Sequence, residues 1–519
     1  MLDAAPSIFA SKPDSSRRAD YTVLGAFALL KILINGLFIG RYGIQRDELY
    51  FVVCGQHLDF GYVDHAPLVP WIARLSTELF GDSVYALRVF PLLAGGLSVF
   101  LVGLLAREMG GRRFAQVLAA LAAIIAPAYL RANSILHIPT FEIVFWSLAF
   151  LVLIRIVRDD KPRLWLVFGL IAGLGLLNKP TMLFLGVGVV AGLALTKHRK
   201  HFLSPWLWAG GLIAFAAFSP NLLWQWNNDW AMWRFVKQLN AEDMSAVSFP
   251  VFMLGQVLYF HPLNVVVWSA GLWFLLFAPA GKPFRVVGVA CVTVFLILVI
   301  AKSKVYYLGP AYTALFAAGG VAPGNFLDAR KARWPRRAVL GAMVLAGFWL
   351  GPVALPGLPI EIAPEYMQKA TGGIINAIAA QEIMGDWRDQ FGWEDKVEVV
   401  ARVYQSLTPE ERRACIVFCG NYGQASAINF YGRNHGLPYA ISNSMTYYLW
   451  GPGERSGEVL IAIGAKRQGL EQIYADVVQA DTFVSESVRD FENNLPVFVC
   501  RKPTAPLREA WAHIPPKGF

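Results

Sequence analysis

Apolar stretches of roughly 16 to 22 residues recur from residue 21 to Leu355 and then stop. Each is about as long as a bilayer's hydrocarbon core is thick, and inside that core a helix satisfies every backbone polar group locally. The pattern predicts a polytopic α-helical membrane region with spans over 21–40, 86–106, 114–130, 138–157, 163–178, 181–196, 205–222, 257–278, 286–301, 305–322 and 336–355, about eleven helices. Composition agrees, since 16% of the 519 residues are charged where a soluble domain has about a quarter. No repeat or low-complexity segment interrupts the run.

After Pro356 the pattern becomes mixed. Helical periodicity over 372–391 and 394–407, a strand at 414–419, a helix at 424–434, a strand at 457–464, a helix at 466–476 and a strand near 496–501 describe a small α/β domain. The expected division is a tail over 1–20, a membrane domain over 21–355 and an α/β domain over 356–519. Span 21–40 follows no small-residue cleavage site and is expected to serve as both signal and first helix. Between the seventh and eighth spans, tryptophans 224, 226, 230 and 233 predict a helix lying in the membrane interface.

Basic residues orient the chain. The N-terminal Lys12, Arg17 and Arg18 share a sign with every even-numbered connection, including Arg107, Arg112 and Arg113, then Arg155, Arg158, Lys161 and Arg163, and finally Arg330, Lys331, Arg333, Arg336 and Arg337. Short basic connections stay in the cytoplasm. An odd number of spans then puts the odd connections and the C-terminal domain outside, in the periplasm of a bacterial inner membrane. The net charge of +10 resides mostly in cytoplasmic loops that meet anionic lipid headgroups, and no nucleic-acid partner is expected.

Five cysteines are present. Cys415 and Cys419 lie about 13 Å apart if their segment is a strand, too far for a mutual disulfide. Either could pair with Cys500 if their strands are neighbours. No metal-ligand spacing occurs.

The first outer connection holds unusual chemistry. GIQRDELYFVVCGQHLDFGYVDHAPLVPW contains Arg46, Asp47, Glu48, Asp64 and His65. On a helix, Asp47 and Glu48 point about 100° apart, so only one can face a given atom; the choice between a catalytic acid and a solvated acidic pair stays open here. Glu142 opens the fourth span and would cost roughly 2.5 to 3.5 kcal/mol at the bilayer centre, so an outer end suits it better, either in a site or paired with Arg131 or Arg88. Lys179 in LLNKPTM, and Lys302 and Lys304 beside Tyr306 and Tyr307, stand on the outer side against the positive-inside preference. An anionic ligand accounts for them, as does interface snorkelling. Lys31 and Asn35 share one face of the first span and read as structural. Carboxylates suit general-base work and cations suit a lipid phosphate, so the pattern points to sugar transfer from a lipid-phosphate donor.

In this order, GRYGIQRDELYF, GYVDHAPL, ALRVFPLLAGG, SILHIPTFEIVFW, GLLNKPTMLFLG and KVYYLGPAYTALFAAGG resemble the GT-C integral-membrane glycosyltransferases. The branch is family 39, close to the protein O-mannosyltransferases and the lipid A aminoarabinose transferase, and the resemblance covers residues 20–325. It implies a multi-helix fold with interfacial helices in the first outer loop, a polyprenyl-monophosphate sugar donor, an acceptor hydroxyl on an envelope lipid, glycan or protein, and inverting transfer at the periplasmic face. The acid of the family's Asp-Glu motif falls on Asp47, and the later acidic turn on Asp64 and His65, with Ala66 where a proline is common. Glu48 and Glu142 complete the candidate acids. Arg46, His65, Lys179, Lys302 and Lys304 are candidates for the donor phosphate, and Asp64, Arg88, Tyr306 and Tyr307 for support. The scheme requires no cofactor or metal and is compatible with a divalent ion. Two rival classes are a transporter or flippase of a lipid-linked sugar, disfavoured by the lack of inverted repeats, and a membrane scaffold, disfavoured by the clustered outer acids.

Overall fold

The computed structural model describes residues 14–241, 247–329, 333–375 and 385–518. Lys12, Arg330, Lys331 and the middle of the helix expected over 372–391 lie outside the described residues. Among those described, six helices are long and apolar enough to cross a membrane: Arg18–Gly36, Val84–Glu108, Ile138–Asp159, Pro205–Asn227, Pro279–Ile300 and Arg333–Ala354. Two bent pairs raise the number to eight.

That is fewer than the eleven spans read from hydropathy, although each of those segments contains helix. The difference arises at prolines and short connections. Pro127 divides the third segment into Arg113–Ile125 and Pro127–Ala132. Phe249–Tyr259 and Asn264–Leu276 bend by 107° around Pro262, as expected where a proline excludes its predecessor from the helical region; His261 sits at φ 80°. Met182–Ala194 turns by 113° into the 3-10 segment Lys197–Leu203. A sliding apolar window sees none of these breaks.

The chain forms two compact units. The first comprises Met1–Ile39, Arg88–Leu222 and Ser245–Gly357. Its helices approach closely where side chains are absent. A Cβ on Gly271 would lie 2.1 Å from the Leu315 carbonyl oxygen, and one on Gly319 would lie 2.0 Å from that of Val267. The helices Asn264–Leu276 and Tyr312–Ala329 are therefore in backbone contact, the close approach on which helix association in lipid depends. Elsewhere Glu108 accepts from Arg155 at 3.0 Å and Arg158 at 2.5 Å, joining the ends of two spans.

The second unit comprises Gly40–Leu87, Leu223–Met244 and Leu358–Phe519. It carries the first-loop helices Arg46–Gln56 and Leu68–Phe80; the latter exposes Leu75, Leu79 and Phe80, as an interfacial helix does. Helix Pro205–Asn227 ends just beyond Trp226, and after the left-handed Asp229 and Trp230 the chain resumes as Ala231–Ala241, with Trp226 and Trp233 exposed.

The same unit holds a five-stranded sheet of β1 (Cys415–Cys419), β2 (Ala440–Ser442), β3 (Val459–Ile463), β4 (Tyr474–Phe483) and β5 (Leu495–Pro503), in the order β2-β1-β3-β5-β4. β2, β1 and β3 run parallel, and β5 and β4 are antiparallel additions. The central CIVFC and VLIAI are apolar throughout because both faces are covered. One face packs Ile416, Leu460, Tyr474, Phe498 and Trp511. Two sequence readings are corrected here. The helix expected over 466–476 shrinks to Arg467–Glu471, because Asp476, Val477 and Val478 pair with Arg501, Cys500 and Val499 in β4. Cys500 does not neighbour β1, since β3 stands between them, and all five cysteines are free and buried.

A test of the glycine contact is Gly271→Val. Overpacking of this kind costs about 1–3 kcal/mol, so the apparent Tm of the detergent-solubilised protein should fall by several degrees, while Gly186→Val, at a glycine with nothing within 4 Å of its Cβ position, should leave it unchanged.

Candidate active site

The first-loop acids diverge because of how their helix begins. Gln45 is the N-cap of Arg46–Gln56: its side-chain oxygen accepts from the Asp47 amide at 2.6 Å, and its own amide donates to Glu48 Oε2 at 2.8 Å. This capping box satisfies amides that the first turn leaves unbonded. Glu48 is fully buried in that task. Asp47, one residue earlier, is turned to another face, with its side chain 27% exposed.

Asp47 Oδ1 accepts a hydrogen bond of 2.7 Å from the Tyr422 hydroxyl and lies 3.6 Å from Arg46 Nε. The Arg46 guanidinium stands over the Tyr422 ring, 5.2 Å from its centroid, and its Nη2 is 3.7 Å from Asp389 Oδ2. Burial opposes the charge on Arg46, but Tyr422, Asp47, Asp389 and Glu492 outweigh it and hold the guanidinium cationic. Asp389 also accepts from Arg489 at 2.5 Å. Burial pushes Asp389 up to about 6 in spite of the two guanidiniums. The glycine at 423 makes room for this packing, since a Cβ there would lie 2.5 Å from Arg46 Cγ.

Asp64 folds back to the same neighbourhood. The Tyr50 hydroxyl lies 3.1 Å from Asp64 Oδ1 and 2.7 Å from Thr446 Oγ1, and it accepts from the Thr446 amide at 3.2 Å. Burial raises the Asp64 carboxyl above its usual range, with His65 pulling it down and Asp47 pushing it further up. His65 is buried with Nδ1 3.1 Å from the Ala66 carbonyl oxygen. A carbonyl can only accept, so Nδ1 carries the proton, and Nε2 faces Asp64 Oδ1 at 3.8 Å and Cys54 Sγ at 3.9 Å. The Tyr50 and Tyr422 rings touch, with centroids 4.9 Å apart. Two carboxylates, each met by a tyrosine hydroxyl, thus share one aromatic wall.

Next to the turn that follows β1, helix Trp393–Gln405 and the 3-10 turn Asp490–Glu492 contribute a buried ion pair. Lys396 Nζ is 2.8 Å from Glu492 Oε2, both side chains 2% exposed, and Glu492 also accepts from Asn421 at 2.7 Å and Gln424 at 3.0 Å. The strand order reverses direction at β1, the position where open α/β sheets form a crevice. Here the helix that follows β1, Tyr422–Tyr431, packs against the Arg46–Gln56 helix.

In the first unit, Glu142 accepts from Lys179 Nζ at 3.2 Å and from the Thr181 hydroxyl. Lys179 Nζ lies 3.8 Å from the Tyr307 ring centroid and 5.7 Å from that of Tyr306. Lys302 and Lys304 are exposed, and Lys302 sits at φ 47°. Arg88 is fully buried and donates to the Ile39 carbonyl. Lys31 is buried in the first span, and Asn35 donates to Leu130 and Ser134. Sequence reasoning missed Tyr50, Tyr422, Asp389, Arg489, Lys396 and Glu492; the one available signal was Tyr50, which stands inside the acidic stretch. Among the described residues no group of three or more His, Cys, Asp or Glu could hold a metal ion.

The raised Asp389 carboxyl makes stability depend on pH. Its contribution is fully present below the unfolded value near 3.8 and is lost as pH rises through about 6. Apparent Tm of the wild type should therefore carry a downward component between pH 4 and about 6 that Asp389→Asn removes; identical slopes in the two proteins would refute the assignment.

Residues 64–224 match the family of dolichyl-phosphate-mannose-protein mannosyltransferases. The lipid A galacturonosyltransferase RgtD of Rhizobium johnstonii is 26% identical over 216 residues, 41% of this chain and 45% of that protein. An uncharacterized protein of Aquifex aeolicus is 25% identical over 322 residues, 58% of this chain and 63% of its own length. The chain thus spans less than two thirds of either curated relative. Among solved structures, ArnT from Cupriavidus metallidurans bound to undecaprenyl phosphate superposes with a TM-score of 0.61 at 16% identity, covering 92% of this chain and 97% of that one. Its apo state gives 0.59 at 16% identity, with 93% and 98% covered. The chain has the fold of ArnT and, by that fold and the matched segment together, resembles the GT-C glycosyltransferases.

Proposed function

We propose that this protein is a membrane glycosyltransferase that moves a sugar from a polyprenyl-monophosphate donor to an acceptor hydroxyl, with inversion, on the periplasmic side of a bacterial inner membrane. The observation that carries this reading is Asp47: a partly exposed carboxylate at the start of a first-loop helix, fixed by Tyr422 and Arg46 while Glu48 does the capping. The names of the relatives support the substrate class, one being a lipid A galacturonosyltransferase and another having been solved with undecaprenyl phosphate.

In this mechanism the acceptor oxygen attacks the anomeric carbon as its proton passes to Asp47. The bond from that carbon to the phosphate oxygen breaks, and the lipid leaves as polyprenyl phosphate. A positioned base contributes about 10²–10⁴-fold. Charge grows on the leaving phosphate, where fixed cations stabilise the transition state more than the substrate. Arg46 and His65, in the same loop as Asp47, are the residues proposed for that role. The basic N-terminal tail and even-numbered connections support a cytoplasmic N-terminus, and the proposed reaction has the first loop and the C-terminal domain in the periplasm.

The test uses purified protein in nanodiscs with a panel of radiolabelled polyprenyl-phosphate sugars. Acceptor-dependent release of polyprenyl phosphate is expected from the wild type, reduced by at least about 10²-fold in Asp47→Asn, with lipid binding retained. Full turnover by the variant would remove Asp47 from the mechanism.

A further inference from the structure

The residues after 358 supply more than a cover for the loop. We propose that Tyr422 is a positioning residue for the reaction: its hydroxyl holds the Asp47 carboxylate in one rotamer, a role that rests on the assignment of Asp47 as the base.

An aspartate in the first turn of a helix ordinarily turns back to bond its own backbone amides. In this helix the Asp47 amide donates to Gln45 Oε1 and the Gln45 amide donates to Glu48 Oε2. The Asp47 carboxylate accepts from a residue far along the chain, Tyr422, 375 positions away, at 2.7 Å. Tyr422 is itself fixed on several sides. It is the first residue of helix Tyr422–Tyr431, whose N-cap Asn421 accepts from the Gln424 amide and donates to Glu492. Its ring is held between Tyr50 and the Arg46 guanidinium. Next to it, only a glycine at 423 leaves space for the Arg46 stem. Burial, opposed by Arg46 and reinforced by Asp47, keeps the phenol protonated, so it can act only as donor toward the carboxylate. A donor to the ionised form favours that form. Removing the phenol oxygen should therefore raise the pH at which Asp47 ionises and loosen its geometry.

The experiment compares full-length wild type, Tyr422→Phe, Asp47→Asn and the double variant in nanodiscs. One readout is the pH profile of kcat and KM for release of polyprenyl phosphate. The other needs no turnover: carbodiimide coupling of an amine to Asp47 at graded pH, quantified by mass spectrometry, reports the protonated fraction of that carboxyl directly. Tyr422→Phe should lower kcat about 10- to 100-fold, the value of one hydrogen bond to a charged group, leave KM unchanged, and move both the acidic limb and the coupling midpoint upward by about one pH unit. The double variant should be no slower than Asp47→Asn alone. Should Tyr422→Phe fail to fold, 3-fluorotyrosine at 422, a stronger donor of the same shape, should move the coupling midpoint downward. An unmoved midpoint, or a loss confined to KM, overturns the proposal. Absence of turnover with every donor while the coupling midpoint still shifts would sink the glycosyltransferase reading and leave the Tyr422–Asp47 pairing standing.

Discussion

A guanidinium holds the acidic loop in place. Arg46 reaches Asp47 at 3.6 Å and Asp389 at 3.7 Å while stacking on Tyr422, and its backbone amide donates to the Asp389 carbonyl at 3.0 Å. Taking such a group out of water is costly unless its partners are close and bonded elsewhere. Here they are: Asp389 is clamped by Arg489, and Tyr422 sits on a helix whose cap is tied to the Glu492–Lys396 pair. The opposite charges Asp47, Asp389 and Glu492 match Arg46, Arg489 and Lys396 in number. A network of this kind favours one arrangement, because its buried members Asp389, Lys396 and Glu492 keep their counterparts only in that geometry.

The two units use different physics for the same end. In the membrane unit, lipid supplies no hydrophobic drive between helices, and contact is made by glycines that let backbones meet, as at Gly271 and Gly319. Its one described lysine–carboxylate pair near the tyrosines of the 3-10 turn, Lys179 and Glu142, is mutually neutralising. In the second unit an ordinary apolar sheet core does the work, and the polar network is added at the strand ends.

What the sequence made legible follows from the range of each interaction. Helices in the membrane region were visible because their apolar runs are local, whereas the breaks at Pro127 and Pro262 were not, since one residue barely alters a window of twenty. Asp47 and Glu48 stood out as a pair, but choosing between them required knowing that Gln45 caps the helix, a matter of one side chain's direction. The first residues of β4 read as the end of a helix because Leu470, Ile473 and Val477 recur at helical spacing, and only pairing with β5 makes Tyr474 onward a strand. Tyr422 was invisible: nothing near GNYG in the chain announces a carboxylate 375 positions earlier.

That separation governs the order in which the molecule can be completed. The Arg46–Gln56 helix emerges early in synthesis, yet its partners Asp389, Tyr422 and Thr446 all come from the last third of the chain. Contacts so distant in sequence form late, after the local helices are in place. A nascent chain therefore carries its acidic loop through membrane insertion with the carboxylate unset, and the loop acquires its final geometry only once the sheet domain has folded.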